Sequence, residues 1–215
     1  MSMQLFLKTA LSLTFLGVMF NATVPTQDQR KKIIFFGDSL TAGYGITVEE
    51  AFPNLIQQRI DSLGLPYEVV NAGLSGETTA GGANRIDWIL RSEPAIFILE
   101  LGGNDGLRGL SLDQTRSNLE GMIEKVRGKY PKAVILLAGM QMFPNMGPEY
   151  IEQFKQTFPE VAQSKEVNLI PFLLEGVGGE EDLNQPDGIH PNVAGHKIVA
   201  ETVWKYLKPH LKSAP

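Results

Sequence analysis

Short runs of apolar residues recur along the chain, and each is too short for a helix but rich in β-branched or aromatic side chains. Runs of this kind are typical of strands that are buried on both faces of a sheet. The pattern predicts five strands, at residues 33–36, 67–70, 95–99, 133–138 and 167–170.

Apolar residues at helical spacing fill the segments between these runs. A capping-box pattern at Thr47 to Glu50 opens the first such segment, which continues to Gly64, and a second helix is expected from Thr79 to Arg91. Ser111 should cap a third helix that stops before Gly128, and Pro148 fits the first turn of a fourth. The last helix is predicted from its apolar stripe, which comprises Ile198, Val199, Thr202, Val203 and Tyr206.

Strands that are apolar on both faces and alternate with amphipathic helices predict a parallel sheet covered on both sides. Proteins with such a sheet bind their ligands beyond the carboxyl ends of the strands, at the point where the strand order reverses. A chain of 215 residues with 43% hydrophobic content and no internal repeat is suited to one core. We therefore expect a single domain over residues 29–211.

The N-terminal segment has the character of a secretory signal. Lys8 precedes a mostly apolar stretch from Thr9 to Phe20, which is shorter than the ~20 residues that a membrane-spanning helix needs. Cleavage after Ala22 would leave Phe20 where a small residue is expected. We predict that residues 1–22 are a signal peptide and that the protein is exported to the periplasm or secreted; the alternative is an uncleaved membrane tether.

The amino-acid composition limits the kinds of partner and of catalytic group that the protein can use. The net charge of −5 and a single basic block at residues 30–32 argue against a nucleic-acid partner, so a small molecule is expected as substrate. The chain has no cysteine, which excludes disulfides, thiolate metal sites and a cysteine nucleophile. Hydroxyl, carboxylate, amine or imidazole chemistry remains.

The first strand ends at Gly37, and a small polar turn of Asp38, Ser39 and Leu40 follows. This arrangement holds Ser39 at the carboxyl end of a buried strand, beside backbone N–H groups that favour negative charge. Such a position suits a nucleophilic hydroxyl whose reaction creates an oxyanion. The alternative is an ordinary strand-to-helix turn.

A serine nucleophile needs a base, and the chain has three histidines. His210 lies in the C-terminal tail and His196 inside the last helix, whereas His190 follows a turn beyond the fifth strand. Asp187, three residues earlier, is suited to orient the imidazole. The alternative is that this turn only caps the last helix through Asn192.

Donors for an oxyanion are expected at the same edge of the sheet. They are the backbone N–H groups of Ser39 and Gly73 and the side-chain amide of Asn104. Gly73 and Asn104 could instead serve only as turn formers in their glycine-rich loops. Their positions after successive strands favour the functional interpretation.

No metal or other cofactor is predicted. Asp38, Asp105, Asp187 and His190 make a poor transition-metal set, because they include one histidine among scattered carboxylates. The chain also lacks the Walker phosphate-binding motif, a dinucleotide fingerprint after the first strand and a Gly-x-Ser-x-Gly motif.

Four segments together resemble the four conserved blocks of the GDSL/SGNH serine hydrolases. They are Gly37-Asp38-Ser39-Leu40, Gly73 within residues 71–79, Gly102-Gly103-Asn104-Asp105, and Asp187-Gly188-Ile189-His190-Pro191. Residues 99–109 and Ile170-Pro171-Phe172 look most like the exported branch of acyl-CoA thioesterase I, lysophospholipase and arylesterase enzymes. The resemblance covers nearly the whole chain after residue 31.

This resemblance implies a three-layer α/β/α sandwich with a five-stranded, flavodoxin-like parallel sheet, the SGNH hydrolase fold. It also implies Ser39 as nucleophile, His190 as base, Asp187 as its orienter, and Ser39, Gly73 and Asn104 as the oxyanion hole. These roles agree with those assigned from the residues alone.

The expected activity is hydrolysis of acyl esters or thioesters, including lipid-derived ones, by a metal-independent serine enzyme that we expect to be a monomer. We expect Met142, Phe143 and Met146, in a loop after the fourth strand that offers an adaptable apolar surface, to bind the acyl chain; packing beneath a neighbouring helix is the alternative. Leu173, Leu174 and Val177 are expected to extend this groove. Two other functions stay open, namely a carbohydrate O-deacetylase on the same fold and a non-catalytic binding module.

Overall fold

A computed structural model describes residues 30–142 and 144–213. The predicted signal segment 1–22 and Phe143 lie outside the described residues. Five parallel strands form the central sheet in the order β2-β1-β3-β4-β5, which is the flavodoxin-like order. The strands are β1 (Lys31–Gly37), β2 (Tyr67–Gly73), β3 (Pro94–Glu100), β4 (Val134–Ala138) and β5 (Asn168–Ile170). The predicted fold class is confirmed.

Helices cover both faces of this sheet. α2 packs against α7, while α3, α5 and α6 pack side by side. The connection from β1 to β2 runs toward one edge of the sheet, and the later connections run toward the other edge. Because the crossovers are right-handed, the helix pair α2 and α7 lies on one face and the group α3, α5 and α6 lies on the other. The helices are α1 (Ser39–Ala42), α2 (Phe52–Ser62), α3 (Thr79–Ile89), α4 (Gly103–Leu107), α5 (Leu112–Lys129), α6 (Pro148–Ser164) and α7 (Val193–Leu207).

The core lies between the sheet and its helices. Ile33 to Phe36 of β1 have no exposed surface, as expected for the second strand in from the edge of a covered parallel sheet. Phe154 and Phe158 of α6 are equally buried and pack edge to face with ring centroids 5.3 Å apart. The uniformly apolar runs of the sequence are therefore explained by burial on both faces.

The capping-box prediction was wrong in one respect. Thr47 and Glu50 do form the reciprocal contacts of a capping box, but they enclose a 3₁₀ turn, Val48–Glu50, rather than the start of the long helix. α2 begins afresh at Phe52, where Pro53 occupies the first turn and needs no hydrogen-bond acceptor. The ring of His196 in α7 accepts the Phe52 N–H at 3.2 Å and so satisfies a donor at this helix end.

Two further boundaries differ from the sequence prediction. α5 runs through Gly128 to Lys129, because its buried stripe and the Tyr130 hydroxyl, which donates to the Leu90 carbonyl at 2.8 Å, hold its last turn. The glycine-rich turn after β3 also contains a helix, α4, which its glycines concealed. Ser111 and Pro148 take their predicted places at helix starts.

Along residues 30–142 and 144–213, no helix combines the length and the apolar character needed to cross a membrane. The end of β2 and the segments that follow β1, β3 and β5 at the carboxyl edge of the sheet bring together, at one end of the molecule, Ser39, Gly73, Asn104, Asp187 and His190.

Candidate active site

The turn that carries Ser39 is held by the residue before it. Asp38 is 2% exposed, and its Oδ1 accepts the Leu40 N–H at 3.0 Å, which caps the short helix α1. Gly43 ends the helix in the left-handed region, at a φ of 75°, and its N–H donates to the Ser39 carbonyl. Ser39 is thus fixed at the first residue of a helix, directly beyond the buried strand β1.

A chain of hydrogen bonds joins Ser39 to two residues more than 140 positions away. The Oγ of Ser39 lies 2.9 Å from Nε2 of His190, and the His190 Nδ1 lies 2.7 Å from Oδ2 of Asp187. The other oxygen of Asp187 accepts the backbone N–H groups of Ile189 and His190 at 2.9 and 3.0 Å. The three predicted residues therefore meet in one linear arrangement.

The Asp187 carboxylate is stabilised in its charged form. Burial alone would raise its pKa, but the hydrogen bonds from His190 and Ile189 outweigh that effect and lower the pKa of Asp187 to about 2. A carboxylate of this kind favours the tautomer of His190 that carries its proton on Nδ1. Nε2 is then free to accept the Ser39 proton.

Tyr44 and Gln185 connect the loop after β1 to the loop that carries His190, and neither was identified from the sequence. The Tyr44 ring lies 4.7 Å from the His190 ring. The Gln185 side-chain amide donates to the carbonyls of Tyr44 at 2.6 Å and Pro191 at 3.1 Å, and its backbone N–H donates to the His190 carbonyl at 2.7 Å. These contacts join the loop that follows Ser39 to the loop that carries His190.

The predicted oxyanion donors lie around the same turn. Among the described residues, no group accepts a hydrogen bond from the Ser39 N–H. The Gly73 N–H donates to Oδ1 of Asn71 at 3.0 Å, and the Asn104 amide donates to Asp38 Oδ2 at 2.9 Å and to the Glu77 carbonyl at 3.1 Å. Only Ser39 therefore offers an unengaged donor in this state.

Glycine at position 73 is required by the close approach of two loops. A Cβ there would lie 2.3 Å from the Ala42 nitrogen and 2.8 Å from the Asp38 carbonyl oxygen. Because glycine has no side chain, the end of β2 can pack directly against the turn that carries Ser39.

Two buried acids lie close together here, Asp38 in the turn and Glu100 beneath it, and the sequence assigned a catalytic role to neither. Burial raises the pKa of Asp38 to about 6, although hydrogen bonds from Leu40 and Asn104 oppose the rise. Burial and the negative charge of Asp38 raise the pKa of Glu100 well above its usual range. The two carboxyl groups therefore do not both carry a charge near neutral pH.

A cavity of about 510 Å³ opens beside Ser39 and His190. Its walls are mostly apolar, and the apolar side chains that line it are Leu40, Leu107, Met140, Met142, Phe172, Leu174 and Ile189. The size and lining suit a small acyl group or part of a longer chain.

The structure separates the residues that the sequence grouped as substrate-binding. Met142 lines the cavity beside Ser39, whereas Met146 lies in a separate surface depression with Pro148 and Tyr150. Of the residues predicted beyond β5, Leu174 lines the cavity, but Leu173 and Val177 are buried in the core. Phe143, also predicted to bind substrate, lies outside the described residues.

Within the described part of the chain, no three histidine, aspartate or glutamate side chains are placed to hold a metal ion. Asp105, considered above as a possible ligand, accepts hydrogen bonds from the Thr79 backbone at 2.8 Å and the Thr115 hydroxyl at 3.2 Å. Its role in this structure is to join α3, α4 and α5.

The fold and the cavity define a flavodoxin-like α/β protein with a Ser-His-Asp arrangement at the carboxyl edge of its sheet. Residues 35–198 match the model of the GDSL-like lipase/acylhydrolase family, and the chain belongs to this family. The resemblance seen in the sequence is confirmed.

Individual relatives agree with this membership. The chain is 41% identical to esterase TesA of Pseudomonas aeruginosa over 196 residues, which cover 91% of this chain and 96% of the relative. It is 36% identical to thioesterase 1/protease 1/lysophospholipase L1 of Escherichia coli K12, over 82% of this chain and 83% of the relative. The crystal structure of the psychrotrophic esterase EstA from Pseudoalteromonas sp., inhibited by monoethylphosphonate, has a TM-score of 0.79 and 31% identity, covering 83% of this chain and 97% of that one.

Proposed function

We propose that this protein is a serine hydrolase that cleaves carboxylic esters and thioesters of acyl chains through an acyl-enzyme. The observation that carries the proposal is the hydrogen-bonded chain from Ser39 through His190 to Asp187 at the mouth of an apolar cavity. The esterase and thioesterase names of the relatives support the same reaction.

Acylation begins when His190 accepts the Ser39 proton at Nε2 and the Ser39 oxygen attacks the acyl carbonyl carbon. The resulting tetrahedral intermediate collapses when His190 returns the proton to the leaving alkoxide or thiolate, which leaves an ester between Ser39 and the acyl group. Water then attacks the acyl carbon as the same imidazole takes its proton, and the imidazolium returns this proton to the Ser39 oxygen as the acid leaves. Asp187 remains charged throughout and stabilises the imidazolium.

The oxyanion of the intermediate is proposed to accept hydrogen bonds from the N–H groups of Ser39 and Gly73 and from the Asn104 amide. The Ser39 donor is already unengaged. Gly73 must exchange its bond to Asn71, and Asn104 must turn one amide hydrogen away from Asp38 or Glu77, when substrate arrives. A developing negative charge favours the exchange at Gly73, and at Asn104 the exchange away from the Glu77 carbonyl, because hydrogen bonds to charged acceptors are stronger than those to neutral ones.

The apolar cavity supports an acyl chain rather than an acetylated sugar as substrate. Leu174 and Met142 form part of its wall, and the flexible Met side chain adapts to chains of different length. Substrates therefore include the acyl groups of lipids and of thioesters. A carbohydrate deacetylase would instead need polar groups that orient a sugar.

A comparison of wild type with Ser39→Ala tests the function. The wild type should hydrolyse p-nitrophenyl butyrate and react covalently with a fluorophosphonate, and Ser39→Ala should lose labelling and lose hydrolysis by several orders of magnitude. Circular dichroism of both proteins controls for folding. A wild type that neither turns over esters nor reacts with the probe would indicate a binding module, and unaltered hydrolysis by folded Ser39→Ala would exclude this mechanism.

Export to the periplasm or beyond the cell remains part of this proposal and depends on residues 1–22. An intact-mass measurement of the mature protein tests it, since cleavage after Ala22 removes a defined mass. A full-length chain in the membrane fraction would favour the tether.

A further inference from the structure

Glu100 ends β3 and lies opposite Gly37 of β1 in the paired strands. Its side chain is 1% exposed and passes beneath the turn that carries Ser39. A Cβ at Gly37 would lie 2.3 Å from the Glu100 Oε2, so the glycine provides the space that this carboxyl group occupies. The mechanism proposed above makes no use of Glu100.

One carboxyl oxygen of Glu100 holds both sides of the turn. Oε2 accepts the backbone N–H of Asp38, the residue before Ser39, at 3.1 Å. The same atom accepts the hydroxyl of Thr41, two residues after Ser39, at 2.7 Å. Thr41 has no exposed surface, so water does not compete for its hydroxyl.

The second carboxyl oxygen favours the neutral form of Glu100. Oε1 is buried and has no hydrogen-bond partner among the described residues. An ionised carboxylate with one oxygen desolvated and unpaired, next to the Asp38 carboxyl group, would be costly. The neutral acid avoids the cost of the buried charge while its carbonyl oxygen still accepts both donors, and burial together with the charge of Asp38 raises the pKa of Glu100 accordingly.

We propose that Glu100 is a positioning residue for the Ser39 nucleophile, which fixes the turn by accepting hydrogen bonds from the Asp38 N–H and the Thr41 hydroxyl at once. Together with Gly73, which packs against the other side of the turn, Glu100 holds the Ser39 Oγ within reach of His190. It does not touch the substrate. The proposal rests on the serine mechanism proposed above.

Two substitutions at position 100 separate positioning from simple stability. In Glu100→Gln, the amide oxygen still accepts both hydrogen bonds, so kcat should stay within about threefold of wild type even if the protein is less stable. In Glu100→Leu, both donors lose their acceptor and the turn relaxes, so kcat and the rate of fluorophosphonate labelling should fall by roughly 10- to 100-fold at nearly unchanged KM. Val126→Ala is the matched control for lost stability, because it creates a cavity at a fully buried position near the end of α5.

Thr41→Val removes one of the two donors and should lower kcat by about three- to tenfold. Adding it to Glu100→Leu should lower kcat no further, because the contact is already lost. If Glu100→Leu does not fold, Thr41→Val decides: reduced kcat at constant KM supports the proposal, and wild-type kcat overturns it.

All rates are corrected for the folded fraction and compared with Ser39→Ala. If Ser39→Ala is active, the serine mechanism itself fails. If Ser39→Ala is inactive but Glu100→Leu is as active as Val126→Ala, or Glu100→Gln is as impaired as Glu100→Leu, then only the positioning role is overturned.

Discussion

Gly37 and Glu100 pair across strands β1 and β3, and the space left by the absent Gly37 side chain is filled by the Glu100 carboxyl group. This packing links β3 to the turn that carries Ser39, because the carboxyl oxygen that occupies this space also accepts hydrogen bonds from Asp38 and Thr41. Glycine before the Asp-Ser pair is therefore required by packing beneath the turn as well as by the turn itself.

Gly37→Ala should disrupt this packing. The added methyl group would lie 2.2 Å from the Thr41 Oγ1 and 2.7 Å from the Glu100 carbonyl oxygen, so the turn must shift. Overpacking of this kind costs about 1–3 kcal/mol, and we expect a comparable loss in the free energy of unfolding together with a reduced kcat. Urea denaturation and steady-state kinetics measure both effects. Gly121→Ala, in α5 with open space around its Cβ, is the control and should be tolerated; equal behaviour of the two variants would contradict the packing argument.

Asn104→Ala tests the oxyanion donors. The loss of one donor should lower kcat by roughly 10²–10³ with little change in KM, because the hydrogen bond is formed to the transition state. The variant also leaves Asp38 without its amide partner, so an unfolding curve must accompany the kinetics. An effect confined to KM would make Asn104 a substrate-binding residue instead.

The fold could be predicted from the sequence to a large extent, because buried parallel strands and amphipathic helices leave regular patterns. Ser39, Gly73, Asn104 and His190 were identifiable because each follows the end of a predicted strand. Glu100 was not, because its role depends on which strand lies beside β3, and strand order is not encoded in local pattern. Met142 and Met146 are similarly indistinguishable by composition, since only the course of the loop places one in the cavity.

The contact between Gln185 and Tyr44 spans 141 positions and left no local signal either. The predicted helix ends were wrong where tertiary contacts outweighed local preference. At Gly128, for example, the buried apolar residues of α5 keep the chain helical.

Acyl-chain length tests the cavity beside Ser39. Each methylene buried in it contributes at most ~0.8 kcal/mol, so kcat/KM for p-nitrophenyl esters should rise from acetate toward medium-length chains by up to a few-fold per carbon. Leu174→Ala should reduce the preference for longer chains, while Met146→Ala, in the separate depression, should leave the profile unchanged. A best rate with acetate esters or acetylated sugars would favour the deacetylase instead.

Acid stability should depend on His196. Burial lowers its pKa to about 4, and its Nδ1 accepts the Phe52 N–H, an interaction that protonation would break. Between the unfolded pKa near 6.5 and the folded pKa, the unfolded chain binds a proton that the folded protein does not. The contribution of His196 to stability is therefore present above about pH 6.5 and is lost as the pH falls toward 4, by roughly 3 kcal/mol in total.

Urea denaturation of wild type and His196→Gln at pH 7.5 and 4.5 measures this contribution. Asp38 and Glu100 act in the opposite direction, because acids with raised pKa values stabilise the folded state as the pH falls. Both proteins contain these two acids, so their effect cancels in the comparison. The wild type should lose more stability than the variant on acidification. Parallel losses in the two proteins would show that His196 takes up its proton equally in the folded and unfolded states, so that folding does not lower its pKa.

The proposed mechanism requires a covalent acyl group on Ser39. Wild type mixed with p-nitrophenyl butyrate and quenched in acid within milliseconds should show an intact-mass increase of one butyryl group, and peptide mapping should place it on Ser39. Asp187→Asn, in which the tautomer of His190 is no longer fixed, should form the adduct on the order of 10⁴ times more slowly. A butyryl group on a residue other than Ser39 would contradict the mechanism.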